Sequence, residues 1–117
     1  MIKKVLIAYH GDVAIRLLSK FAQEGVRTVA VYTREDCNSE HVQLADEVIC
    51  IGRTLKSYHS DWHCIISASE VSDVDAIHPG DGPLSTHERF AEVCSDCGIH
   101  LIRDSEPDDP ANRRFLL

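Results

Sequence analysis

The chain of 117 residues has little basic charge, few aromatic residues and no long hydrophobic run. Its 12 Lys and Arg residues are outnumbered by 19 Asp and Glu residues, which gives a formal net charge of −7. Nucleic-acid binding needs clustered basic side chains, so this balance argues against a nucleic-acid partner. No apolar run approaches the roughly 18 residues of a membrane span, so we expect no membrane partner either.

The N-terminus lacks the pattern of a secretory signal. The apolar run that begins after Lys4 is only about four residues long, and no small-residue cleavage site follows it. The five cysteines are an odd number, which does not suit a framework of paired disulfides. We therefore expect a cytoplasmic protein with reduced thiols.

Short apolar runs alternate with helical patterns along the chain. We predict strands within 4–8, 27–32, 47–51, 75–77 and 99–102. We predict a first helix with Asp12 as its N-cap and a short second helix over 40–45 with Leu44 facing inward. Two further helices are predicted over about 61–71 and about 86–97, and 53–59 is a predicted loop. This alternation predicts an α/β fold, a Rossmann-like parallel sheet of about five strands with helices on both faces. We assign residues 1–103 to this domain and 104–117 to an acidic, proline-containing tail.

The most informative segment is the loop that follows the fourth predicted strand. It contains His78, Gly80, Asp81 and Gly82, and it leads into a helix. In an open parallel sheet, ligands bind at the carboxyl edge of the strands, and glycine lets a backbone approach a ligand closely. Together with Gly11, which follows the first strand, these residues form our candidate ligand cleft. His78 alone shows no partner for general-base chemistry, and a structural loop histidine is the favoured interpretation.

Two further groups of residues could carry chemistry. Cys94 and Cys97 have C-x-x-C spacing, but they fall at a helix C-terminus, where the dipole works against a reactive thiolate. A structural helix end is favoured over a metal or redox site. His59 and His63 are four residues apart without a convincing third ligand, which favours a solvated surface. We assign no catalytic residue and no metal ligand.

A set of motifs follows in order between residues 3 and 102. It comprises Val5-Leu6-Ile7-Ala8, Thr28-Val29-Ala30-Val31-Tyr32, His41-Val42-Gln43-Leu44-Ala45-Asp46-Glu47, Lys56-Ser57-Tyr58 and Ala76-Ile77-His78-Pro79-Gly80. As an ordered set these motifs resemble the N-terminal domain of biotin carboxylases. The resemblance implies a pre-ATP-grasp, Rossmann-like unit. In that family the ATP-binding lid and central ATP-grasp domains follow it and supply the ATP contacts, the bicarbonate site and the catalytic base.

The chain departs from the family pattern at the predicted cleft. Tyr9-His10 stand where the family usually has Asn-Arg, and Asp81 stands where the family has a Tyr that lies against bound biotin. Pro83 replaces a Phe of the same loop. A carboxylate at position 81 cannot stack an apolar ring, and it would repel bicarbonate.

Arg16 and Lys20 form a candidate interface on the first helix. Their spacing of four residues by itself indicates a charged helix face that also carries Asp12. The resemblance implies that this helix lies near a homodimer contact, and Arg16 matches the family there.

From these features we expect a free-standing homologue of the biotin carboxylase N-terminal domain that lacks the ATP-grasp domains. It would act as a binding, assembly or regulatory module and would not be catalytic alone. The first alternative is a subunit or fragment of a biotin carboxylase, a ligase, completed by another chain. The second is a small-molecule sensor that uses the cleft at Gly11 and residues 80–82. We expect no cofactor for the isolated chain. ATP, Mg²⁺ and biotin would enter only with an ATP-grasp partner, and the expected partners are a second copy and a carboxylase or ATP-grasp subunit.

Overall fold

The structure is a computed structural model that describes residues 2–103, and the predicted tail at 104–117 lies outside that range. Within the described residues the strands are β1 Lys4–Ile7, β2 Arg27–Thr33, β3 Glu47–Gly52, β4 Ala76–His78 and β5 His100–Leu101. The helices of the same range are α1 Gly11–Gln23, α2 Glu40–Leu44, α3 Ser57–Ser60, α4 Trp62–Val71 and α5 Glu88–Asp96. Short 3₁₀ turns cover Arg34–Asp36 and Pro83–Thr86.

The strands form one parallel sheet in the order β3-β2-β1-β4-β5. In the central strand β1 the residues Val5, Leu6 and Ile7 are all apolar and buried, because both faces of a parallel sheet are covered by helices. Its Leu6 pairs with Val29 on one side and with Ile77 on the other, and all three are fully buried. The predicted fold class is confirmed.

Helices cover both faces of the sheet, and each face has its own apolar core. On one face α1 packs Ala14, Leu18 and Phe21 against the sheet. On the other face α3, α4 and α5 pack a larger core that includes Trp62 and Phe90, whose rings meet edge to face at 5.9 Å. The helix predicted over about 61–71 forms as α4, and its residues Trp62, Ile65, Ile66 and Ser69 are all buried.

The prediction of a loop over 53–59 was wrong at its end. The short helix α3 forms there, held by hydrogen bonds from the Ser60 amide to the Lys56 carbonyl and from the Asp61 amide to the Ser57 carbonyl. A single turn is too short to show a 3.6-residue period, so the pattern of apolar residues could not reveal it.

The prediction that Leu44 faces inward was also wrong, since 47% of its surface is exposed. The buried residue of α2 is His41, whose ring nitrogen bonds to the Val31 carbonyl. The helix ends at Leu44 and the backbone becomes extended at Ala45, which leaves Leu44 on the outside.

Two helix starts differ from the predictions. α1 begins at Gly11, so Asp12 lies in the first turn and not at the N-cap, where its charge still favours the helix dipole. α5 begins at Glu88, after the 3₁₀ turn, because His87 caps it: the Phe90 amide donates to His87 Nδ1 at 3.0 Å. Within residues 2–103 no helix is long and apolar enough to span a bilayer.

Candidate functional site

The glycine loop lies at the carboxyl edge of the sheet, as predicted from its place in the chain. The Ala8 amide, just past β1, donates to the His78 carbonyl at the end of β4 at 2.9 Å. His78 is buried, and its Nδ1 accepts a hydrogen bond from the Gly80 amide at 3.0 Å. This bond places the ring proton of a neutral His78 on Nε2 and holds the turn that starts the loop.

A cavity of about 440 Å³ lies between α1 and this loop; we call it the first cavity. Its lining residues are Val13, Arg16, Leu17, Lys20, His78, Pro79, Gly80, Asp81, Ser85, Ile102 and Arg103. The cavity joins two groups that the sequence analysis predicted separately, the interface pair and three of the loop residues. They meet because α1 crosses over the sheet beside the strand that precedes the loop.

The charge in the first cavity is mainly positive. Arg16, Lys20 and Arg103 line it, and Asp81 is the acidic residue among its lining residues. This cationic surface stands out on a chain whose net charge is −7. A surface of this kind attracts carboxylate or phosphate groups.

The other two predicted ligand residues lie elsewhere. Gly82 lines a second cavity, of about 280 Å³, together with residues that follow β1 and residues of α3. Gly11 lines neither cavity and is exposed, with open space where a side chain would start. The predicted cleft is therefore divided into two cavities on either side of the loop.

The ring of Tyr9 lies against the loop at both of its glycines. A Cβ atom at Gly80 would sit 2.7 Å from the Tyr9 Cβ, and one at Gly82 would sit 2.7 Å from the Tyr9 Cε1. Gly80 also has a φ of +71°, which side chains rarely adopt. The glycines thus have a role within the chain, which is to make room for Tyr9. Their predicted role in ligand approach stays a prediction.

Sequence reasoning missed a buried polar network at the carboxyl end of β2. Asp36 Oδ1 accepts from the Thr33 amide at 2.6 Å and from the Thr33 hydroxyl at 2.8 Å. The Tyr58 hydroxyl donates to Asp36 Oδ2 at 2.6 Å and lies 3.1 Å from the Val31 carbonyl oxygen. His41 Nε2 lies 3.1 Å from the same carbonyl and 3.2 Å from the Tyr58 hydroxyl. Thr33, three residues before Asp36, forms a capping box, and that spacing was the one local signal available.

The network shifts the pKa values of two of its members. Burial raises the pKa of the Asp36 carboxyl. The hydrogen bonds from Tyr58 and Thr33, together with the charge of the nearby His41, lower that pKa by more than burial raises it, so the net pKa lies below its usual value. The pKa of the Tyr58 hydroxyl lies above its usual range. Burial is the largest cause, and the hydrogen bond to Asp36 and the negative charge of that carboxylate add to it. Because the Val31 carbonyl can only accept, His41 Nε2 is the donor in that hydrogen bond, and among residues 2–103 the buried Nδ1 of His41 has no hydrogen-bond partner.

All five cysteines are unpaired, and Cys94 is the buried one. Burial raises the pKa of the Cys94 thiol to about 12. A hydrogen bond to Glu70, a small burial effect and the charges of Glu70 and Asp96 raise the pKa of Cys97. The thiolate is the reactive form, so the raised pKa makes both thiols of the C-x-x-C motif less reactive in the fold. In residues 2–103 no cluster of three or more His, Cys, Asp or Glu side chains could hold a metal ion.

We therefore expect thiol labelling to separate these cysteines. At about pH 8 a thiol reagent should label the exposed Cys64 readily, Cys97 more slowly, and Cys94 only when the chain unfolds. Mass spectrometry of peptides after timed labelling, with and without urea, measures all three rates in one sample. Labelling of Cys94 in the folded protein at the rate of Cys64 would contradict the assignment.

Comparison with known proteins identifies the family. The family profile described as biotin carboxylase, N-terminal domain, matches residues 1–106. The chain is 42% identical over 106 residues to human mitochondrial pyruvate carboxylase, covering 89% of this chain and 9% of that protein. It is 40% identical over 106 residues to biotin carboxylase 1 of Bacillus subtilis, covering 90% of this chain and 24% of that protein. The chain therefore spans less than a quarter of the length of these relatives.

Solved structures agree with the sequence relatives. A biotin carboxylase–ATP complex from Campylobacter jejuni superimposes with a TM-score of 0.83 at 36% identity, over 86% of this chain and 23% of that chain. The biotin carboxylase domain dimer of the Hydrogenobacter thermophilus 2-oxoglutarate carboxylase, with MgADP, ADP and bicarbonate, gives a TM-score of 0.82 at 35% identity. That match covers 86% of this chain and 22% of the solved chain.

Proposed function

Because this chain belongs to the biotin carboxylase N-terminal-domain family, we propose that it is a binding and assembly module that docks onto an ATP-grasp unit. In this proposal the chain has no catalytic activity alone, and the biotin carboxylase reaction takes place only in the completed assembly. ATP, Mg²⁺ and biotin then belong to the partner's part of the site. The cytoplasmic location expected from the sequence is part of the same proposal.

The first cavity is the observation that carries the proposal. It opens at the carboxyl edge of the sheet, where open α/β folds bind their ligands, and it is lined by Arg16, Lys20 and Arg103. Arg16 and Lys20 are four residues apart on α1, so their like charges repel each other in the isolated chain. An acidic or carboxylate-bearing surface of the partner would remove that repulsion, and we propose such a surface as the occupant.

A complementation experiment tests the proposal. The full chain is mixed with the ATP-grasp portion of a relative, for example biotin carboxylase 1 of Bacillus subtilis without its own N-terminal domain. We expect no bicarbonate-dependent ATP hydrolysis from the chain alone and measurable hydrolysis from the mixture. Carboxylation of free biotin is measured in parallel, because it separates assembly from full activity.

The variant Arg16→Gln tests the role of the first cavity. Loss of a partly desolvated charge pair at an interface should weaken association about 10-fold. Arg27→Gln is the matched control, since Arg27 is an exposed arginine at the amino end of β2, away from the cavity. Titration of the labelled chain by fluorescence anisotropy gives both affinities. Absence of any association, or equal weakening by the two variants, would rule the docking proposal out.

A second copy of the chain is the other candidate occupant of this face. One solved relative is described as a biotin carboxylase domain dimer, and Arg16 and Lys20 are the candidate interface pair. Light scattering across a range of concentrations measures the oligomeric state. A homodimer that Arg16→Gln dissociates and Arg27→Gln preserves would favour this occupant.

A further inference from the structure

The second cavity has an aromatic wall. Its lining residues are Ala8, Tyr9, His10, Leu55, Lys56, Tyr58, His59, Pro79, Gly82, Pro83 and Leu84. The His10 ring centroid lies 4.6 Å from that of Tyr9 and 4.7 Å from that of Tyr58, in tilted contacts. The two tyrosine rings meet edge to face at 6.4 Å. Three rings in mutual contact form a wall on which another ring can stack.

This wall is held in place before any ligand binds. The hydroxyl of Tyr58 is used in the core, by its 2.6 Å hydrogen bond to Asp36, so its ring cannot rotate away without breaking that bond. Tyr9 is fixed between the glycines of the loop. A preformed wall lowers the entropic cost of binding.

The polar side chains of the second cavity each carry a hydrogen-bond donor. Lys56, His10 and His59 line it, and no Asp or Glu is among its lining residues. Within residues 2–103 none of these three side chains donates a hydrogen bond to another residue. Two carboxylates near the cavity already have partners within the chain: Glu35 accepts from the Leu55 amide at 2.8 Å, and Asp36 accepts from the Tyr58 hydroxyl at 2.6 Å. An acceptor carried by a ligand would complete the arrangement.

We propose that the second cavity binds a planar aromatic carboxylate of one or two rings. The aromatic wall takes the ring, and Lys56 with the two imidazoles takes the carboxylate. The volume of about 280 Å³ lies just below the range of about 300–1,000 Å³ that is usual for small-molecule sites, which favours a ligand of one or two rings. This site goes beyond the proposed assembly function, because it lies on the other side of the loop from the first cavity and needs no partner chain.

The experiment titrates the full chain with indole-3-acetate and, separately, with indole-3-acetamide as its uncharged counterpart. Backbone amide NMR shifts report where each compound binds. We expect saturable shifts at Tyr9, His10, Lys56 and Tyr58, with a Kd of about 1 mM or tighter for a ligand of this size. The acetamide should bind at least about 5-fold more weakly, because it has no charge for Lys56.

The variant Lys56→Gln should weaken indole-3-acetate binding about 5-fold and leave acetamide binding unchanged. Lys3→Gln is the matched control, since Lys3 is an exposed lysine beside β1 at the opposite, amino edge of the sheet. The side chain of Lys56 is exposed, so its replacement keeps the fold, which circular dichroism verifies.

Three results would overturn the proposal: no saturable shift up to about 10 mM, equal affinities for the acid and the amide, or unchanged binding by Lys56→Gln. The two proposals fail separately. Loss of association in Arg16→Gln concerns the first cavity alone, and loss of indole-3-acetate binding in Lys56→Gln concerns the second alone.

Discussion

The variant Gly80→Ala should lower the free energy of unfolding by about 3 kcal/mol, one of the largest effects that a single added methyl can have in this chain. Two costs combine at this position. The φ of +71° is unfavourable for alanine, and the new Cβ would lie 2.7 Å from the Tyr9 Cβ. Gly82→Ala should lower the free energy of unfolding by about 2 kcal/mol. The added methyl contacts only the far end of the Tyr9 ring, and the φ of residue 82 is not positive.

Removing the Tyr9 ring should affect the stability costs of alanine at positions 80 and 82 differently. In a Tyr9→Ala background the clash at residue 82 disappears, so Gly82→Ala should cost less than about 0.5 kcal/mol. Gly80→Ala should keep most of its cost in that background, because alanine at position 9 retains the Cβ that it contacts. Urea unfolding of the single and double variants gives the coupling energies.

Gly25→Ala provides the matched control for backbone conformation. Gly25 has a φ of +78° with no atom within 4 Å of an added Cβ, so its replacement measures the φ cost alone, about 1 kcal/mol. The close packing of Tyr9 on the loop would be refuted by either of two results. One is that Gly82→Ala is as stable as the parent chain, and the other is that Gly82→Ala costs as much stability in the Tyr9→Ala background as in the parent chain.

The variant Tyr58→Phe should lower the free energy of unfolding by about 2.5 kcal/mol at neutral pH. It removes the donor that lies 2.6 Å from Asp36 Oδ2 and leaves a buried carboxylate with fewer hydrogen bonds. Tyr32→Phe is the matched control. Its ring is half-buried, and its hydroxyl makes no hydrogen bond with any residue from 2 to 103, so the change should cost less than about 0.5 kcal/mol.

The effect of Tyr58→Phe should depend on pH with a defined sign. The folded-state pKa of Asp36 lies below its usual value, so its ionised form stabilises the fold above about pH 4. That contribution is lost as the pH falls through the folded-state pKa. The difference between the parent chain and Tyr58→Phe should therefore be largest near neutral pH and shrink on acidification. A constant difference from about pH 7 to 3 would show that the lost hydrogen bond does not act through the Asp36 charge.

The local pattern of the sequence was sufficient to predict the layers of the fold. Val5, Leu6 and Ile7 form a continuous apolar run because a central parallel strand is covered on both faces. The helix α1 ends at Gln23, and Gly25, two residues further on, has the positive φ that is typical just past a helix C-terminus. Short elements were predicted less well. α3 is a single turn without a visible period, and the orientation of Leu44 depends on His41 entering the core.

The candidate sites were predictable only in part, because they combine residues from distant parts of the chain. The sequence placed the glycine loop at the carboxyl edge, and its ordered motifs indicated the family. It could not show that Tyr9 lies across Gly80 and Gly82, since those residues are some 70 positions apart. The contact between Tyr58 and Asp36, 22 residues apart, was equally hidden.

The sequence by itself determined the α/β class, the family and the edge of the sheet that carries the loop. Each of these follows from local periodicity or from short ordered motifs, which a linear chain records directly. The tertiary structure decided that the loop separates two cavities, one cationic against α1 and one aromatic against α3. The physical reason is that crossover connections bring α1 and α3 to opposite sides of the loop, and this three-dimensional proximity has no local signal in the sequence.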